Sequence, residues 1–127
     1  MKINNKILKI SISLKKITCL LLLLGATSSI VAQEVDKEKQ RVLKESKESL
    51  SNASYEMAKD NFINAEAEYR EAIALNPKED IGKYNLGNAY YNEEMNDVAM
   101  SRFKQAAAVA DTKSDKHRAF HNLGNTY

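Results

Sequence analysis

The chain has 127 residues, 43% hydrophobic, 28% charged and 7% aromatic, with only 4 Gly, 1 Pro and 1 Cys. Sparse turn formers exclude an all-β sandwich or barrel, and one Cys excludes a disulfide scaffold or a Cys-based zinc finger. The formal charge of +2 misleads, because the first 33 residues hold five Lys and no acid. Removing those five from the 19 Lys+Arg leaves 14 against 17 acidic residues, a net of −3. A nucleic-acid partner needs a basic surface, so none is expected.

In chain order, a basic leader (Lys2, Lys6, Lys9, Lys15, Lys16) precedes a short apolar run, Ile17 to Ala26. A small, weakly polar stretch, Thr27 to Gln33, follows. This order is that of a secretory signal peptide over residues 1–32, cleaved after Ala32. The run falls short of the roughly 20 residues of a membrane span. An uncleaved N-terminal anchor is the alternative. Cys19 opens the apolar run, whereas a lipid-accepting Cys closes one. The expected location is therefore exported and periplasmic.

Residues 33–45 form a charged helical segment, with Glu38, Lys39, Arg41, Lys44 and Glu45. A first helix is expected over Asp36–Met57 and a second over Phe62–Leu75. Asn76, Pro77 and Glu79 read as a capping box for a third, running to Glu93. A fourth is expected over Asp97–Ala110 and a fifth from Ser114 onward.

These helices repeat. Ala65, Tyr69 and Ala72 recur 34 residues later as Ala99, Phe103 and Ala106. Leu86-Gly87-Asn88-Ala89-Tyr90 recurs as Leu123-Gly124-Asn125-Thr126-Tyr127, 37 residues on. A small residue in register with an aromatic one lets two helices approach to about 8–10 Å. With Pro77, these residues form the expected repeat-packing set. They resemble the tetratricopeptide repeat (TPR) family, a 34-residue helix–turn–helix with the pattern W-x₂-L-G-x₂-Y…A-x₃-F…P. The departures are Asn52-Ala53 in the first Leu-Gly slot, Lys83 in the Trp slot and Asp111 where Pro77 would recur.

The resemblance implies an all-α TPR solenoid of two and a half repeats: 46–79, 80–116 and a partial 117–127. Phe120, Leu123 and Tyr127 would then lack a covering helix, which reads as a truncated sequence or a partial gene model. More narrowly, Tyr84 to Tyr91 and the stretch Ala106 to Tyr127, with its lengthened turn at 111–116, look like exported TPR proteins of aerotolerance (Bat-type) operons. That likeness implies a periplasmic scaffold working with membrane-bound partners that carry von Willebrand A-type domains.

No catalytic constellation stands out. There is no phosphate-binding glycine loop and no nucleophile elbow. His117 and His121 lie four apart but lack the Glu of H-E-x-x-H. A metal-binding or enzyme-accessory role for that pair is the alternative to a binding module. No metal, cofactor or small-molecule substrate is expected, and no enzymatic activity.

The TPR likeness implies a concave groove lined by the first helix of each hairpin. With Leu86, Gly87 and Tyr90 facing the core, about 100° per residue puts Tyr84, Asn88, Tyr91 and Asn92 on the opposite side of their helix, beside Ile81 and Met95. The 37-residue offset adds Arg118, His121 and Asn125. Asn can donate and accept at once, and Tyr offers an apolar ring with a polar tip, so this face is expected to grip a protein or peptide.

Overall fold

The computed structural model describes residues 31–127. The leader expected over 1–32 lies almost wholly outside the described residues. The chain divides into two units, Met1–Gln40 and Arg41–Tyr127. Within the first, residues 31–40 are helical and exposed.

The second unit is all-helical. Helix α1 covers residues 41–58. It is followed by α2 (Phe62–Leu75), α3 (Asp80–Asn92), α4 (Asn96–Val109) and α5 (Lys113–Asn125). Successive helices pack in order: α2 on α3, α3 on α4, α4 on α5, with a smaller contact between α3 and α5. This serial packing is solenoid-like.

Two turns share one backbone design. After α1, the amide of Asp60 donates to the Met57 carbonyl and that of Asn61 to the Glu56 carbonyl, both at 3.0 Å. After α3, Glu94 donates to Tyr91 at 3.1 Å and Met95 to Tyr90 at 2.9 Å. Asp60 and Glu94 both have φ 60, the left-handed residue of a Schellman turn. They stand 34 residues apart, so the backbone repeats where the letters do not. Asn61 then caps α2 by accepting from the Asn64 amide, and its own amide group donates to Glu56 Oε2 at 2.7 Å.

The turn before α3 differs from the capping box expected of Asn76, Pro77 and Glu79. Asn76 closes α2, its amide donating to the Ala72 carbonyl. Helix α3 starts at Asp80, and its N-cap Glu79 makes no side-chain cap bond. The cause is Lys83. Its ammonium donates to the carbonyls of Pro77 (2.5 Å) and Glu79 (2.9 Å). The turn is thereby pinned from inside helix α3, in the slot where the repeat pattern has Trp. Burial lowers the Lys83 pKa, and the nearby Glu79 and Asp80 carboxylates oppose that shift. The remaining boundaries move by a residue. Helix α3 ends at Asn92, α4 spans Asn96–Val109, and α5 begins at Lys113 and ends before the chain does. Thr112 caps α5, accepting from the Asp115 amide at 3.0 Å and donating to its carboxylate at 2.5 Å.

The core gathers Ala53, Ala65, Tyr69, Leu86, Ala89, Tyr90, Ala99 and Phe103. Ala106, Ala107 and Ala119 form a second cluster between α4 and α5. Small residues set the close approaches. A Cβ on Gly82 would meet Ile73 and Leu50 at 3.2 Å. Ser46 is buried on α1, and its hydroxyl donates to the Ala72 carbonyl at 3.0 Å, tying α1 to α2. At the edge of the core, the Tyr90 hydroxyl donates to Glu66 Oε1 and accepts from Arg70 Nη2 at 2.7 Å. The Tyr90 hydrogen bond is the main cause holding the Glu66 carboxyl below its ordinary value. Of the expected packing residues, Ala72 is also buried, Leu123 is half-buried, and Pro77 and Gly124 are exposed.

Candidate functional site

One surface of α3 carries polar side chains that face two depressions. The first lies against α1 and α2. Asn85, Asn88 and Asn92 line it at i, i+3 and i+7, opposite Ser54 and Met57, with Tyr69 and Ala89 beneath. This spacing aligns the three amides along one helix side. The second lies between the N-terminal halves of α3 and α5. Ile81, Tyr84 and Asn85 line it on one side, Asp115 and Arg118 on the other. Asn85 borders both.

A side-chain bridge joins α3 to α5 here. The Asn122 amide nitrogen donates to Asn88 Oδ1 at 2.7 Å and to the Tyr84 hydroxyl at 2.9 Å. Each Asn has one carbonyl oxygen and two N–H donors. The bridge therefore engages the Asn88 oxygen and leaves its N–H₂ group for a ligand. Tyr84 accepts from Asn122, so its own O–H remains a donor. Asn122 keeps its carbonyl as an acceptor. The site presents more donors than a count of its asparagines implies, and it carries charge only at the α5 end. There Arg118 lies over the Tyr84 ring, 4.6 Å from the centroid, and pairs with Asp115 at 3.4 Å.

Tyr84 departs from the face expected for it. It is half-buried, with its ring 5.8 Å from that of Phe103. Its backbone position is opposite the Leu86 side, but the lean of α5 covers it. Asn88, Asn92 and Arg118 line the depressions. Tyr91, His121 and Asn125 are exposed and line neither. Asn85, Asn122, Ser54 and Met57 were missed. Asn85 and Asn122 are partners under the same 37-residue offset that relates Leu86 to Leu123, so the repeat held that signal. Ser54 and Met57 had none, because the first repeat lacks the Leu-Gly letters that anchor the register.

His117 and His121 are exposed on α5. Among the described residues, no group of three or more His, Cys, Asp or Glu is placed to hold a metal ion. Among the same residues, no helix is long and apolar enough to cross a membrane. No known family model matches the chain, and no curated protein matches it.

Proposed function

We propose that this chain is a TPR-type scaffold that binds a protein partner as an extended segment along the polar surface of α3. The observation that carries the reading is the row Asn85, Asn88 and Asn92, placed opposite Ser54 and Met57 and braced by Asn122. Neutral amides at i, i+3 and i+7 suit peptide backbone groups, which need both donors and acceptors and carry no net charge. Met57 adds adaptable apolar area beside them. The serial packing of α2 to α5 and the 34-residue recurrence of the Schellman turn support a TPR array.

The basic leader and apolar run support export to the periplasm. The likeness of residues 84–91 and 106–127 to Bat-type proteins supports a place in an aerotolerance-type envelope complex with membrane-anchored partners. The test is capture from envelope extract by the parent chain, by Asn85→Ala/Asn92→Ala, and by the outlying control Lys104→Ala. The double variant should lose at least about tenfold of the captured partner, two lost hydrogen bonds being worth about 1–3 kcal/mol together. Its melting temperature should match the parent. Capture undiminished in the double variant would refute the reading.

A further inference from the structure

The second unit carries two open faces of opposite charge on helices far apart in the packing order. Between α1 and α2 runs an open groove of about 350 Å³, lined by Glu45, Glu48, Glu68, Glu71 and Leu75, with Ser49 and Asn52. Glu45 is paired with Arg41 at 2.7 Å. Glu48, Glu68 and Glu71 make no ion pair among the described residues. Lys44 and Lys47, on the same stretch of α1, do not line the groove.

Helix α5 packs on α4 and α3 through Ala119, Asn122 and Leu123. Its other side shows Lys113, Lys116, His117 and Phe120, all exposed. These lie at i, i+3, i+4 and i+7, so they form one stripe. Phe120 is 51% exposed, a large apolar group among cations. Neither lysine is paired among the described residues.

We propose that the occupant of the α1–α2 groove is the α5 stripe of a second copy of this chain, docked head to tail. Lys113 and Lys116 meet Glu68 and Glu71, and Phe120 covers Leu75. The charge complementarity lies within one sequence, which selects a second copy over an unrelated partner. Like-signed faces would repel, so the two grooves cannot pair with each other, nor the two stripes. Such a contact is heterologous: each added copy leaves one groove and one stripe open, so chains grow or close into rings. The surfaces used are separate from the Asn85–Asn88–Asn92 row, so this proposal does not depend on the partner-binding reading.

The test mixes ¹⁴N- and ¹⁵N-labelled full chains and treats them with a zero-length carbodiimide, which joins carboxylates to amines in direct contact. Mixed-isotope peptides linking Glu68 or Glu71 to Lys113 or Lys116 are expected, falling at least about tenfold in 0.5 M salt as the ion pairs are screened. Glu68→Lys/Glu71→Lys alone should lose intermolecular crosslinks between these segments and self-association by sedimentation. Lys113→Glu/Lys116→Glu alone should do the same. A one-to-one mixture of the two should regain both, because every contact again joins opposite charges. All four positions are exposed, and circular dichroism checks that each variant stays helical. Absence of these crosslinks in the parent at low salt overturns the proposal. So does failure of the mixture to recover, or self-association of the parent that salt does not weaken.

Discussion

The ring of Phe103 fills the space that a side chain at residue 87 would need. A Cβ built on Gly87 would stand 2.7 Å from Phe103 Cε1 and 2.8 Å from Cδ1. Phe103 is fully buried on α4, so the ring has nowhere to go. Gly87→Ala should therefore destabilise. The helix gains about 0.5–1 kcal/mol from losing a glycine, but overpacking costs about 1–3 kcal/mol. Gly124, its counterpart under the 37-residue offset, has nothing within 4 Å of the same point. Gly124→Ala should stabilise by up to about 1 kcal/mol. Urea denaturation of the two variants should thus shift in opposite directions. Shifts of the same sign would mean that α3 and α4 do not approach this closely.

Leu86 is fully buried at the centre of the same core. Leu86→Ala should cost roughly 2–5 kcal/mol, depending on how far the site collapses. A melting temperature within a degree or two of the parent would place Leu86 outside the core.

Most of the packing was legible in the letters. Small residues at 65, 72, 99 and 106, in register with aromatic residues at 69 and 103, identify the buried faces of α2 and α4 because few other patterns let helix axes approach so closely. The turns were less legible. A Schellman turn is usually read from glycine, and here Asp60 and Glu94 take the left-handed position. Lys83 reads as a departure from the repeat, yet its ammonium satisfies two carbonyls of the preceding turn. The Asn122–Asn88 contact was hidden for a different reason. It depends on how α5 is staggered against α3, which a helical wheel drawn for one helix does not contain.

The left-handed turn residues lead to a prediction of gain. A non-glycine residue in this region costs about 1–2 kcal/mol relative to right-handed backbone, and Gly avoids most of that cost. Glu94 is exposed and no printed side-chain bond holds it. Glu94→Gly should raise stability by about 0.5–1 kcal/mol, read as a higher urea midpoint at unchanged slope. Destabilisation would show that residue 94 is not left-handed in solution.

The Glu66–Tyr90 pair sets an acid-side dependence. The Glu66 carboxyl is held below its model value of 4.5, first by the Tyr90 hydroxyl and then by Arg70, while burial opposes both. A carboxyl whose folded pKa is depressed adds stability that is fully present above its unfolded value. That stability is lost as pH falls through the folded value. Tyr90→Phe removes the first cause and keeps the ring that meets Phe62 edge to face at 5.6 Å. The variant should lose about 1 kcal/mol at neutral pH. Its stability should then fall less steeply than the parent's below pH 4.5. Parallel pH profiles would show that this hydrogen bond does not hold the carboxylate.

Asn122 joins the two helices that frame the candidate groove, so its removal tests whether bracing matters to binding. Asn122→Ala deletes both donors, to Asn88 Oδ1 and to the Tyr84 hydroxyl. Both acceptors are only half-buried, so water can replace the bonds, and the stability loss should stay near 1 kcal/mol. Binding should respond differently. Without the bridge, Asn88 can turn its amide either way, and the donor row along α3 loses its fixed orientation. Loss of such pre-organisation weakens affinity even though Asn122 lines neither depression. The measurement is two-part: a melting temperature near the parent's, and capture of the envelope partner reduced several-fold. Asn122→Asp sharpens the test. Its carboxylate cannot donate to Asn88 Oδ1 but can accept from the Asn88 amide and the Tyr84 hydroxyl, which fixes Asn88 in the flipped orientation. If orientation matters, Asn122→Asp should bind less well than Asn122→Ala. Equal capture by parent and both variants would mean that the bridge holds α5 in place and has no part in recognition.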